Sequence, residues 1–307
     1  MNTRLLEERP GRNWPRRNLA IRGPVLHWLS VRLNSGFTLL ELLVVIGIMG
    51  LVAGLSLPAI KAWNRSNITT SASRQLLDDL ALARQRAIST RSTVYVVFAP
   101  PVRANDWVDF FGRPTPLVAG SFWDAKDLPT LTNLLNAPYA SYALYAKRQV
   151  GDQPGTTNSD QYLTSWKTLP EGTFIATSKF DGFHFTQSPS RPPVLSENGV
   201  PSFDSRLSLP GNGGNGLKIH FPSATSLSRF TMPSIGFDYQ GRLVSGRDEV
   251  IPLARGSASP ARGADRQIML LPPIVTENPP RNSIEQSNHI RVDFLTGRAR
   301  VEKWEMP

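Results

Sequence analysis

The feature that most constrains this chain is the run FTLLELLVVIGIMGLVAGLSLPAI, Phe37 to Ile60, in which only Thr38, Glu41, Ser56 and Pro58 are neither apolar nor glycine. Coiled as a helix it would reach about 36 Å at about 1.5 Å per residue, against a hydrocarbon layer of about 30 Å. That length favours a membrane span over a buried core helix. Ahead of it, residues 1–36 hold Arg4, Arg9, Arg12, Arg16, Arg17, Arg22 and Arg32 against Glu7 and Glu8, which is half of the chain's net charge of +10. The positive-inside rule keeps such a leader cytoplasmic and sends everything after Ile60 across the membrane. With half the charge spent there, the basic balance is no nucleic-acid footprint in itself.

An ordinary secretory signal places a small-residue cleavage site beyond its apolar stretch. Here the order is reversed. No Ala-x-Ala-like site follows closely behind Ile60, whereas the small pair Ser35-Gly36 lies directly before the run. Arg16-Arg17 lacks the apolar stretch close behind it that a twin-arginine signal requires. The segment Gly36-Phe37-Thr38-Leu39-Leu40-Glu41-Leu42-Leu43-Val44-Val45-Ile46 instead resembles the class III signal of type IV prepilins and type II secretion pseudopilins. The resemblance implies cleavage between Gly36 and Phe37 by a membrane prepilin peptidase, which also N-methylates Phe37. It further implies that Glu41 pairs with the Phe37 amine of a neighbouring subunit as the helix leaves lipid for a filament. The leader is long for that family, and Ser35 stands where a basic residue often precedes the glycine.

A carboxylate at the centre of a bilayer costs about 2.5–3.5 kcal/mol on insertion scales, so Glu41 asks for a role. Nearer the helix end it can also be a tolerated charge that snorkels to the interface and suits the N-terminal dipole. Gly50 and Gly54 are spaced for close helix contact, and Pro58 removes a backbone donor and is expected to bend the axis. By the same resemblance these residues serve assembly with other pilins or pseudopilins, after an initial residence in inner-membrane lipid.

Beyond the apolar run, Leu76, Leu80, Ala83 and Ala87 recur at steps that give a helix one apolar face. Thr93 to Phe98 then reads as a strand from its β-branched and aromatic content, closed by Pro100-Pro101. The run Leu80 to Ile88 with that strand resembles H-type minor pseudopilins and FimT-like minor pilins, as do Leu169 to Ile175, Ile235 to Arg242 and the terminal hairpin His289 to Val301. Tyr142 to Ala146, Leu217 to Phe221 and Gln267 to Leu271 are further strand candidates, and the Gly- and Pro-rich stretches 99–140, 187–216 and 252–288 read as loops. The expected fold class is α+β and pilin-like: a long N-terminal transmembrane helix packed on an antiparallel β-sheet domain. The expected divisions are a cleaved leader (1–36), an assembly helix (37–60), its extracytoplasmic continuation (61–91) and a β-rich domain (92–307).

Catalysis is not expected, and no cofactor or metal is. Cysteine is absent, and outside the leader the histidines are His184, His220 and His289, too scattered for a zinc or triad site. Gly211 to Gly216 satisfies G-x-G-x-x-G, but a strand rather than a helix follows, so a hairpin turn is the better reading. No acidic loop suggests calcium. Arg291, Arg298, Arg300 and Lys303 with Trp304 form a candidate DNA-binding patch, diluted by Asp293, Glu302 and Glu305. Two functions follow: a minor pseudopilin of a type II secretion-like machine, or a minor type IV pilin binding DNA or a surface.

Overall fold

A computed structural model describes residues 38–99, 125–148, 161–181, 195–203, 217–226, 229–269 and 271–305, with the side chains of 55–67, 286, 287, 304 and 305 outside the described set. The chain divides into two compact units, Met1–Leu55 and Ser56–Pro307. A single helix, α1 (Leu39–Thr90), contributes to both. The expected leader and, within the expected loop stretch 187–216, residues 187–194 and 204–216 with the Gly211 to Gly216 motif lie outside the described residues.

In the second unit α1 buries one stripe, Ala72, Leu76, Leu80, Ala83 and Ala87, each fully inaccessible. Arg74, Asp78, Gln85 and Arg86 fall off that stripe, as the periodicity predicts. The helix ends through its backbone. Arg91 takes a left-handed φ of 49°, and the amides of Arg91 and Ser92 donate to the carbonyls of Ile88 and Ala87, closing the last turn.

The stripe packs on an antiparallel sheet of β1 (Val94–Phe98), β2 (Ser141–Ala146), β3 (Gln161–Tyr162), β4 (Lys167–Thr168) and β8 (Ser234–Phe237). β1 lies between β2 and β8, with Val96 opposite Leu144 on one side and Ile235 on the other. All residues of β1 and β2 are buried, because both faces of this sheet are covered. Val94, Val96, Phe98, Tyr142 and Leu144 share a core with α1, whereas Tyr95, Val97, Ala143 and Tyr145 share a second core with Leu131 and Leu134.

Those two leucines belong to α2 (Leu128–Asn136), inside the stretch 99–140 expected to be loop. Its leucines recur at helical spacing behind a proline in the first turn, a position where the missing amide is harmless. The hairpin β6 (Lys218–His220) and β7 (Arg229–Thr231) supplies Ile219 to the same layer.

A second antiparallel sheet joins β10 (Ile274–Glu277), β9 (Glu249–Ser259), β11 (Gln286–Val292) and β12 (Ala299–Glu305), with β5 (Thr173–Ile175) also on β9 and a short helix α3 (Asn282–Glu285) before β11. β9, β10 and α3 correct the loop expected over 252–288. Pro252 sits inside β9 because nothing there needs its missing N–H. Its carbonyl accepts from Ala176, just beyond the end of β5, and the Ala176 carbonyl is taken instead by the Lys179 amide. Within Gln267 to Leu271 the described residues make bridges rather than the expected strand, Ile268 opposite Arg262 with the Met269 amide donating to the Ala261 carbonyl; Leu270 lies outside the described residues. The expected strands around Thr173 to Ile175 and Lys218 to His220, the turn after Phe237 and the terminal hairpin are all present. Gly297 in that hairpin has φ +61°, and a Cβ there would collide with the Gly241 carbonyl, so the two turns meet only because the residue is glycine.

Candidate assembly site

The first unit opens with Thr38 and Glu41 at the start of α1. The Glu41 amide donates to Thr38 Oγ1 at 3.2 Å, and the Thr38 amide donates back to Glu41 Oε2 at 3.4 Å. This reciprocal arrangement is a capping box, satisfying amides that the first turn leaves without helical partners. Thr-x-x-Glu ahead of an apolar run is its sequence signature, legible in Thr38 to Glu41. Glu41 therefore has an intrahelical task besides any intersubunit one, and its carboxylate remains exposed. Gly36 and Phe37 lie outside the described residues.

From Leu39 to Gly54 every side chain is exposed, including Leu39, Leu43, Ile46, Met49 and Leu51, each more than 60% accessible. A Cβ added to Gly50 or Gly54 would touch nothing. No packing among the described residues requires those positions to be small. Pro58 lies within α1, with its side chain outside the described residues. Among the described residues no helix is long and apolar enough to cross a membrane. The expected span, 37–60, runs beyond Gly54 into side chains outside that set.

In the second unit α1 is held by a charge the sequence reading did not single out. Asp79 is 5% accessible; it accepts from Tyr142 Oη at 2.6 Å and pairs with Lys167 Nζ at 2.6 Å. Gln75 donates to Tyr142 Oη at 3.0 Å and to the Thr168 carbonyl at 3.1 Å. Burial first, then the neighbouring Asp79 carboxylate, pushes the Tyr142 phenol far up, so it stays a donor. One helix face is thus bonded to β2 and β4 by groups far apart in sequence, and Arg84 Nε adds a 2.7 Å bond to the Thr296 carbonyl in the terminal hairpin.

A second buried pair lies away from the helix. Lys179 is fully buried, 2.9 Å from Glu249 Oε2 and from the Pro201 carbonyl, with its ammonium 4.8 Å from the Phe203 ring centroid. Such a pair is costly to break from one side, because the partner charge stays buried.

His220 has its Nδ1 2.6 Å from the Ser226 carbonyl, and its Nε2 accepts from Arg229 Nε at 2.8 Å, a hairpin clasp. His289 is buried, and burial holds its imidazole below the ordinary value despite Glu302 nearby. No cluster of three or more metal-ligating side chains occurs among the described residues. In the candidate DNA patch, Arg291 donates to Asp248 Oδ2 through Nε at 3.0 Å and Nη2 at 2.9 Å, and Arg300 pairs with Glu302 at 2.7 Å. Arg298 and Lys303 are exposed. Arg291 and Arg300 thus already hold carboxylates that a phosphate would have to displace.

No curated protein and no solved structure matches the chain. Residues 31–57 match the prokaryotic N-terminal methylation motif, which spans Gly36, Phe37, Glu41, Gly50 and Gly54 and stops one residue short of Pro58. On an α+β chain whose motif helix exposes its apolar side chains, that match places the signature of type IV prepilins and pseudopilins at the head of this protein.

Proposed function

We propose that the chain is a minor pseudopilin-like structural subunit of a type II secretion machine or a related pilus-type machine. It is inserted in the inner membrane with its leader in the cytoplasm and its β-rich part outside. Prepilin peptidase cuts between Gly36 and Phe37 and methylates Phe37, and the mature subunit joins other pilins or pseudopilins. The observation that carries this reading is the methylation motif over residues 31–57 on a helix start whose apolar side chains are exposed among the described residues. Apolar surface of that extent needs lipid or neighbouring helices to cover it.

In this reading Glu41 exchanges its cap for the terminal amine of a neighbour. Gly50 and Gly54 let helices approach closely, and Pro58 bends the packed helix. The competing reading, a minor type IV pilin that binds DNA through Arg291, Arg298, Arg300 and Lys303, is weakened by the ion pairs of Arg291 and Arg300. The subunit role requires no catalysis.

Mass spectrometry of the protein from cells with an active prepilin peptidase should give a methylated Phe37 terminus, and Gly36→Ala should leave the precursor uncut. An intact Met1 terminus in those cells overturns the reading. Salt-sensitive duplex binding that is lost when Arg298 and Lys303 are neutralised would instead favour the competing one.

A further inference from the structure

On the sheet face opposite α1, α2 forms one wall of a groove, and the β3–β4 segment with the turn after β6 forms the other. Its volume is about 580 Å³, within the range of small-ligand sites. Two aromatic side chains, Tyr162 and Trp166, line it with their polar tips already committed. The Tyr162 hydroxyl donates to the His220 carbonyl at 2.8 Å, and the Trp166 indole donates to the Pro222 carbonyl at 2.8 Å. The rings brace one another, with centroids 5.6 Å apart, and are backed by Tyr145 at 5.3 Å and Phe221 at 5.6 Å. Their faces are therefore held in place before anything binds, which lowers the ordering cost of a ligand.

Around these rings stand Thr130, Asn133, Gln161 and Ser165, whose side chains make no hydrogen bond among the described residues. Among the described residues, no aspartate, glutamate, lysine, arginine or histidine lines the groove. This combination selects by exclusion. A charged ligand would lose water without gaining a counter-charge. A purely apolar ligand would strand the amides and hydroxyls of the rim. What satisfies both is a neutral molecule with C–H faces for the rings and hydroxyls for the rim.

We propose that this groove is a binding site for a neutral oligosaccharide. Sugar C–H faces stack on Tyr162 and Trp166, and ring hydroxyls exchange hydrogen bonds with Asn133, Gln161, Thr130 and Ser165. The site is built from residues remote in sequence from the methylation motif, so it stands or falls independently of the assembly reading.

The test is isothermal titration calorimetry of the full chain in an amine-oxide detergent, since a maltoside headgroup would itself compete. Maltohexaose and chitohexaose serve as neutral probes, a polygalacturonate oligomer as the acidic probe, and a Ser/Asn-rich hexapeptide as the peptide probe. Saturable binding of at least one neutral hexasaccharide is expected, with a Kd of about 10 μM to 1 mM, a range ordinary for uncharged ligands of this size. The exposed rim variant Asn133→Ala/Ser165→Ala should keep the far-UV circular dichroism spectrum and weaken binding about tenfold or more, since each lost bond to a neutral ligand is worth a few-fold. Trp166→Ala should abolish binding; if it unfolds, the rim variant alone decides. Absence of binding by both neutral hexasaccharides at about 10 mM, affinity unchanged in the rim variant, or tighter binding of the acidic oligomer or the peptide each overturns the proposal.

Discussion

The two ends of α1 solve opposite problems with one backbone conformation. Toward Thr90 the helix is amphipathic, with a stripe from Ala72 to Ala87 fully buried and Asp79 bonded to the sheet. Toward Leu39 it is apolar all round save for Glu41, and every described side chain from Leu39 to Gly54 is exposed. A helix that is apolar on every side has no inward face, so its sequence specifies an environment rather than a neighbour in the chain. The difference teaches where to look for function: the amphipathic part is explained by folding, and the uniformly apolar part is not.

Substitutions that separate the two ends test this contrast. Leu80→Ala empties the centre of the buried stripe and should cost about 2–5 kcal/mol in equilibrium denaturant unfolding. Leu43→Ala should change the same transition by no more than about 0.5 kcal/mol, while lowering the protein's recovery in sheared filament fractions. Equal losses in unfolding from both would erase the distinction.

Asp79→Asn keeps the shape but removes the charge that faces Tyr142 and Lys167. A loss of about 1–3 kcal/mol is expected, since the buried phenol loses its anionic acceptor while half-exposed Lys167 can return to water. Tyr142→Phe in that background should then cost little more, because the two groups act as one unit. Additive losses would show that they do not. The most local effect belongs to the capping box. Thr38→Ala should lower the helicity of a peptide spanning residues 37–54 and destabilise its first turn by about 1 kcal/mol. An unchanged circular dichroism signal would mean the long bonds to Glu41 contribute nothing.

Much of this architecture was legible because it is periodic or local. The steps between Leu76 and Ala87 give the helix face, and the β-branched run Val94 to Phe98 gives the central strand. What escaped depends on partners distant in sequence. Asp79 reads as one more surface carboxylate until Lys167 and Tyr142 arrive from the sheet. β9 hides behind Pro252 and Gly256, residues that argue against a strand unless β5 is known to end where the proline lacks its donor. α2 is short and bounded by loop-like composition, although its leucine spacing was there to be read. Gln267 to Leu271 has strand composition, but its described residues form bridges and no strand, since composition does not supply a neighbouring strand. At the candidate assembly site the motif itself was readable in the sequence, and so was the Thr38-x-x-Glu41 signature of the box, whose bonds then appear at the helix start.

The double-sided burial of β1 and β2 has an evolutionary consequence. Neighbouring residues such as Tyr95 and Val96, or Leu144 and Tyr145, answer to different layers, so the sheet acts as a partition between two selective histories. Drift in α2 or the β6–β7 hairpin can remodel the outer layer while the seam with α1 is held fixed. A lineage could exchange whatever that outer layer recognises without rebuilding the part of the molecule that holds its helix.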